Sequence, residues 1–279
     1  MITDFRDRVA VITGGASGIG FAVARVLGRL GARLVLADIE AAALQAALRT
    51  LTAEGYEVAG RITDVGERAD IDQLAELAWS RFGAVHFVMH NAGVAVFGAA
   101  QTLTDADWAW SLRVNLQGPI NGVQAFLPRM LAQGQPGHML FTASFAGLVP
   151  NKDLAAYNVS KAAVVALAES LHKDLRGTAI SASVLCPMRV QSNIDRSMRN
   201  RPATFGGPTA NRSYTEAERA DLQGGALPAG PVAEAVVAAV RRGDLYIHTH
   251  ASAAGFIQAR AERMLRGFTQ LPFAVPGAD

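Results

Sequence analysis

Short apolar runs alternate with stretches of helical periodicity along most of the chain. The runs are 8–13 (RVAVIT), 33–38 (RLVLAD), 56–64 (YEVAGRITD), 85–91 (VHFVMHN), 138–144 (HMLFTAS), 180–187 (ISASVLCP) and 245–250 (LYIHTH). Their apolar residues are consecutive rather than alternating, as in strands buried on both faces. Between them, 18–31, 41–51, 69–83, 105–131, 157–175 and 231–242 read as helices. Such alternation predicts parallel strands joined by right-handed crossovers, hence an α/β doubly wound Rossmann fold with helices on both faces of the sheet. One domain is expected over 1–279.

The rhythm breaks from Met188 to Gly230, a polar stretch rich in Arg, Asn, Gly and Pro. A loop this long in a compact domain is usually functional or disordered. It follows the sixth strand, at the edge where ligands bind in open α/β sheets. Residues 188–230 are therefore expected to form a substrate lid with short helices; a merely mobile insertion is the alternative. The extension 251–279 ends in LRGFTQLPFAVPGAD, where Phe268, Leu271 and Phe273 show no regular periodicity. It either packs over a neighbour's pocket or frays.

Composition narrows the class. Half of the 279 residues are apolar, and the net charge of +2 gives no sign of a nucleic-acid partner. The single cysteine, Cys186, excludes a disulfide framework and a multi-thiolate metal site, which suits a cytoplasmic protein. No secretory leader is visible, and no apolar run reaches the ~18 residues of a membrane span. His248 and His250 point to one face of a strand but lack a third ligand, so no metal is expected.

The first strand runs into TGGASGIG (13–20), with Gly14, Gly18 and Gly20 on a strand-to-helix turn. Glycines there let a pyrophosphate approach amides at a helix N-terminus. The second strand ends in Asp38, 18 residues beyond Gly20. A carboxylate at that place accepts hydrogen bonds from the ribose hydroxyls of NAD and repels a 2′-phosphate. Neither Ser17 nor Ile39 is a basic residue that would neutralise such a phosphate. Asp64-Val65 ends the third strand, where a carboxylate can bond an adenine amino group. Asn91-Ala92-Gly93 ends the fourth, with small residues that allow close approach.

YNVSK (157–161) carries the chemistry. Only Lys152, Lys161 and Lys173 among the 26 basic residues are lysines. Positions i and i+4 share a helix face, so Tyr157 and Lys161 project together. A free phenol, with a pKa near ~10, is a poor base at neutral pH; bringing it to ~7 takes roughly 4 kcal/mol. A nearby ammonium favours the phenolate. Ser144 ends the fifth strand, where its hydroxyl can hold a substrate oxygen. Asn115, mid-helix in VNLQG, is placed to bend the helix and order a water.

Taken together, TGGASGIG, Asp38, Asp64-Val65, Asn91-Ala92-Gly93, Asn115, Ser144 and YNVSK resemble the short-chain dehydrogenase/reductase family over about residues 5 to 250. The resemblance implies a seven-stranded sheet ordered 3-2-1-4-5-6-7 and a tetrad of Asn115, Ser144, Tyr157 and Lys161. Tyr157 would be the base in oxidation, Ser144 would position the oxygen, and Asn115 would support a water relay. Lys161 would bind the nicotinamide ribose and depress the tyrosine pKa. The implied NAD site comprises Gly14, Ser17, Gly18, Ile19, Gly20, Asp38, Asp64, Val65, Asn91, Ala92, Gly93, Tyr157, Lys161, Pro187, Val190 and Ser192. Two positions depart from the family: His90 replaces the first asparagine of Asn-Asn-Ala-Gly, and Met188 replaces the glycine of Pro-Gly. Ser192 aligns with a threonine that bonds the nicotinamide carboxamide. The family also implies homodimers or homotetramers.

The expected pocket walls are Val94, Ala95, Val96, Phe97, Phe145, Leu148, Val149 and Met188, with Asn193 and Arg189, Arg196, Arg199 and Arg201 from the lid, though solvated arginines are the default. Walls this apolar favour a hydrophobic or aromatic secondary alcohol and its ketone. GARLVLADI, GPINGV, the lid's NRP and the LYIHTH ending are similar to bacterial Cα-dehydrogenases of lignin β-aryl ethers. A steroid, terpene or simple aryl-alkyl carbinol is the alternative, and a non-catalytic NAD(H)-binding redox sensor is the alternative of another class.

Overall fold

All seven apolar runs become strands, each no longer than its run except for a one-residue extension at Gly137. Among residues 2–209 and 225–268, which the computed structural model describes, they are β1 (Val9–Thr13), β2 (Arg33–Asp38), β3 (Val58–Ile62), β4 (Phe87–His90), β5 (Gly137–Thr142), β6 (Ile180–Cys186) and β7 (Tyr246–His248). They form one sheet, β3-β2-β1-β4-β5-β6-β7, with every pairing parallel. The order reverses between β1 and β4, which opens the crevice where open α/β sheets bind ligands.

The helices are α1 (Gly18–Arg29), α2 (Ala41–Ala53), α3 (Arg68–Phe82), α4 (Asp105–Leu112), α5 (Gly118–Gln133), α6 (Ala155–Asp174), α7 (Ala229–Arg242) and α8 (Ala253–Arg266). Strand β1 shows why two helical layers are needed. Ala10 and Ile12 face a core shared with α1, α2 and α7, whereas Val9 and Val11 face one shared with α3, α5 and α6. All four are at most 1% exposed. Burying a large aliphatic side chain contributes about 1.5–3 kcal/mol, so consecutive apolar residues stabilise both layers.

The stretch 105–131 is not one regular helix. Thr104 caps α4 with a capping box to Asp107, and a π segment, Arg113–Gln117, separates α4 from α5. Pro119, in the first turn of α5, has no N–H for the carbonyl four residues back, that of Asn115. The helical ladder is loosened where the sequence places its candidate catalytic asparagine.

The described chain at either end of the expected lid is joined by a backbone pairing. Gln191 N–H donates to Leu227 O at 2.9 Å, and Leu227 N–H to Arg189 O at 3.0 Å. Two 3₁₀ segments, Ile194–Asn200 and Ala203–Phe205, match the short helices expected there. Helix α8 is a correction, since the sequence pattern gave no helix in 251–279. Its apolar residues are largely exposed, and only Ala253 is buried. Residues 210–224 of the expected lid, and Leu271 and Phe273, lie outside the described residues. No helix among the described residues is long and apolar enough to cross a membrane.

Candidate active site

A cleft of about 790 Å³ lies along the carboxyl ends of the strands. It gathers the expected cofactor and tetrad residues except Gly20 and Asn115. Gly14 has φ +61°, and a Cβ there would come within 2.9 Å of Ala92 Cα. A Cβ on Gly20 would lie 2.3 Å from Gly14 O. Gly20 therefore acts from behind the loop, letting α1 close on it, while Ser17, Gly18 and Ile19 face the cleft at the helix N-terminus. Amides and dipole there suit a pyrophosphate.

Asp38 ends β2 at the cleft. Its Oδ2 accepts Ala16 N–H at 3.1 Å and its Oδ1 accepts Glu40 N–H at 3.1 Å. Each oxygen retains acceptor capacity for a ribose hydroxyl. Burial raises the Asp38 pKa above its ordinary value, against these backbone donors. Arg199 also lines the cleft, a cation that the reading of Ser17 and Ile39 overlooked. It is ion-paired with Glu40, which also accepts from Asn200 Nδ2 at 3.0 Å.

Asp64 lines the cleft, but its carboxylate is already engaged. Arg113 Nη1 donates to Oδ1 and Oδ2 at 3.0 Å each, and Gly66 N–H donates to Oδ1 at 2.9 Å. Arg113 also reaches Glu67 at 2.6 Å. The spacing from Asp64 gave no sign of this arginine, because the pair forms only when the π segment meets the β3 loop.

At the other end, Lys161 is 3% exposed and donates to Thr142 O at 2.8 Å. Thr142 Oγ1 donates to Asn91 Oδ1 at 3.1 Å, and Asn91 Nδ2 donates to Gly14 O at 3.1 Å. This chain of bonds ties the lysine to the glycine loop. Burial lowers the Lys161 pKa to about 8, which leaves the ammonium predominant at neutral pH. Its Nζ lies 5.7 Å from the Tyr157 ring centroid. The Tyr157 pKa is nevertheless raised, contrary to the expected depression. Burial dominates, a hydrogen bond with Ser144 opposes it, and the Asp195 carboxylate adds to it. Ser144 Oγ also accepts Ala146 N–H at 3.2 Å.

Asn115 stands apart from the other three tetrad residues. Its side chain is 1% exposed and does not reach the cleft. It bonds both backbone groups of Val94 and donates to Ser160 Oγ at 3.0 Å. The side-chain amide is a strap between the β4 loop and α6.

The substrate end is lined by Val94, Ala95, Phe97, Phe145, Val149, Met188 and Asn193, as expected, and by Asn151, Leu154 and Phe256, which were not. Val96 and Leu148 are not walls: Val96 packs with Trp110 and Met198, and Leu148 against the β4–β6 core. Arg201 is not solvated either. It is 7% exposed, ion-paired with Asp107, and donates to Phe205 O at 2.6 Å. Among the described residues no three His, Cys, Asp or Glu gather as a metal site.

A profile of the short chain dehydrogenase family matches residues 8–203. The chain is similar to a C alpha-dehydrogenase of Sphingobium sp. strain SYK-6, 37% identical over 247 residues, 88% of this chain and 81% of that protein. It is 36% identical over 220 residues to a 1-deoxy-11-beta-hydroxypentalenate dehydrogenase of Streptomyces avermitilis, covering 78% and 80% of the two chains. In structure it resembles a short chain dehydrogenase/reductase from Burkholderia phymatum in complex with NAD. That likeness has a TM-score of 0.87 and 37% identity, covering 98% of this chain and 99% of the other.

Proposed function

The chain belongs to the short-chain dehydrogenase family, and from that premise we propose that it interconverts a hydrophobic, aromatic secondary alcohol and its ketone. It is an NAD-dependent oxidoreductase acting on a CH–OH group. One observation carries the finer reading. Ser144, Tyr157 and Lys161 line the same cleft as the apolar walls Val94, Phe97, Phe145, Val149 and Met188.

In this reading Asp38 holds the ribose hydroxyls of NAD, and the amides at Ser17–Ile19 hold its pyrophosphate. NAD supplies a hydride acceptor for the carbinol carbon. The chain's own residues manage the proton. Tyr157 Oη takes it from the alcohol in oxidation and returns it in reduction. Ser144 Oγ holds the substrate oxygen beside that phenol. Lys161 keeps a cation in a buried site, where its interaction with a developing phenolate is stronger than in water. Asn115 fixes Val94, and with it the pocket wall. Residues 188–230 serve as the lid, and the apolar walls keep water from the reacting carbon.

Among aromatic alcohols, the benzylic Cα-alcohol of a lignin-type β-aryl ether is the foremost candidate, supported by the likeness to the Sphingobium enzyme. A polycyclic terpenoid alcohol is the second reading, favoured by the likeness to the pentalenate dehydrogenases. The test is NADH formation with β-aryl ether alcohols, aryl-alkyl carbinols, steroid and terpenoid alcohols, and aliphatic secondary alcohols, repeated with Tyr157→Phe. Turnover of the aryl compounds, abolished by the substitution, supports the reading. Turnover confined to terpenoids or aliphatic alcohols refutes the aromatic part and keeps the chemistry.

A further inference from the structure

Two parts of the chain far apart in sequence build an aromatic wall at the substrate end of the cleft. Phe145 directly follows Ser144, and Phe256 lies on α8, beyond the span matched by the family profile. Their ring centroids are 5.9 Å apart at an interplanar angle of 71°, an edge-to-face pair. Both line the cleft. Phe145 is 7% exposed, whereas Phe256 is 38% exposed. A ring serving only the core would be buried; Phe256 leaves much of its surface open beside the pocket.

The pair is held in place from the catalytic side. Phe145 N–H donates to Pro187 O at 2.9 Å. The next residue, Met188, donates its N–H to Thr249 Oγ1 at 3.2 Å, and Thr249 shares a hydrogen bond with His250 Nδ1 at 2.7 Å. Ala253 N–H then donates to His250 O at 3.1 Å and starts α8 on a buried residue. Each link is a hydrogen bond or a covalent neighbour. The position of Phe256 is thereby tied to the loop that carries Ser144.

We propose that Phe256, paired with Phe145, is a specificity-determining residue that selects alcohols bearing an aryl ring on the carbinol carbon. This rests on the reading of the cleft as an aromatic-alcohol dehydrogenase site. A substrate ring against this wall gains aromatic pairing beyond the area it buries, and a saturated ring of equal size gains only the area. Because Phe256 touches the ring and not the bonds that break, its contact is the same in ground and transition states and the gain falls on KM.

The test compares 1-phenylpropanol with 1-cyclohexylpropanol, matched in size, in wild type, Phe256→Leu and Phe256→Tyr. NAD affinity is measured separately by fluorescence titration. Leucine keeps apolar bulk and removes the ring. The phenyl-to-cyclohexyl ratio of kcat/KM should fall about three- to tenfold in Phe256→Leu. The fall should come through KM, and Phe256→Tyr should restore the ratio with NAD affinity unchanged. An unchanged ratio in Phe256→Leu, with the phenyl alcohol still a substrate of the wild type, overturns the inference and leaves the functional reading standing. So does a fall carried by kcat or accompanied by weaker NAD binding. A wild type that oxidises the cyclohexyl alcohol alone overturns the aromatic reading and the inference together.

Discussion

Asn115 grips Val94 by both backbone groups: Val94 N–H donates to Oδ1 at 2.8 Å, and Nδ2 donates to Val94 O at 2.9 Å. The same Nδ2 reaches Ser160 Oγ, whose hydroxyl donates to Tyr157 O at 2.8 Å. One buried amide thus joins a pocket wall to the helix bearing Tyr157 and Lys161. Residue type explains the choice, since only Asn or Gln presents an acceptor and a two-proton donor together, and Asn has the shorter reach.

Replacing Asn115 with alanine leaves two buried backbone groups of Val94 without these partners. Each such group costs about 1–3 kcal/mol, so Asn115→Ala should lose roughly 2–6 kcal/mol in chemical denaturation. Substrate KM should also rise as the wall loosens. Wild-type stability in this variant would show that the strap contributes nothing.

Tyr157 should titrate above the ordinary tyrosine value of 10.0 in the protein without cofactor, because burial disfavours the phenolate. The hydrogen bond with Ser144 opposes that effect, so Ser144→Ala should push the titration higher still. The Asp195 charge reinforces it, so Asp195→Asn should bring it down. Ultraviolet difference titration, with Tyr157→Phe as the blank for the other three tyrosines, reads all three directions. A Ser144→Ala titration at or below wild type contradicts the assignment.

Cofactor choice should depend on Asp38 and Glu40 in sequence. Asp38→Ser keeps an acceptor for Ala16 N–H but loses the charge proposed to meet the ribose. Hydrogen bonds to charged groups contribute about 1.5–3 kcal/mol, so kcat/KM for NAD should fall roughly ten- to a hundredfold. NADP should remain poor, because Arg199 stays paired with Glu40. Adding Glu40→Ala frees that guanidinium for a 2′-phosphate, and NADP turnover should then appear. Equal use of NADP by the single and double variants would exclude Arg199 from this role.

The sheet was legible because each buried strand writes itself as consecutive apolar residues, and parallel order follows from the intervening helices. Gly14, Asp38, Ser144 and YNVSK were legible because each sits at a strand end or at fixed helical spacing. Side-chain direction was not. Val96 follows two true walls, yet it turns to Trp110 and Met198. Arg113 and Asp64 are 49 residues apart, and Arg201 and Asp107 are 94 apart, so neither pair leaves a local signal. Helix α8 did leave one: Ile257, Ala261, Met264 and Leu265 recur at helical spacing, but with a stripe that stays mostly exposed. The tyrosine pKa went the other way because proximity to an ammonium is readable from i, i+4 spacing, whereas the depth of burial is not.

The replacement at His90 is accommodated by a glycine across the layer. A Cβ at Gly122, on α5, would come within 2.1 Å of His90 Cε1. The imidazole also stacks on Phe141, with centroids 4.8 Å apart, and is 4% exposed. Gly122→Ala should therefore cost about 3 kcal/mol through overpacking. His90→Ala in the same chain should recover much of that, giving a coupling energy of about 2 kcal/mol in a double-mutant cycle. Burial lowers the His90 pKa from 6.5 to about 3, so the folded ring stays neutral while the unfolded ring takes up a proton below pH 6.5. Its contribution to stability is full above that pH and declines by about 1.4 kcal/mol per pH unit on the way down to pH 3. His90→Asn should flatten the acid limb of the stability curve by that slope, with His138, buried in the same way, left to supply its own. Denaturation at several pH values between 3 and 7 measures the difference. An acid limb of unchanged slope would place the protonation that destabilises the fold elsewhere.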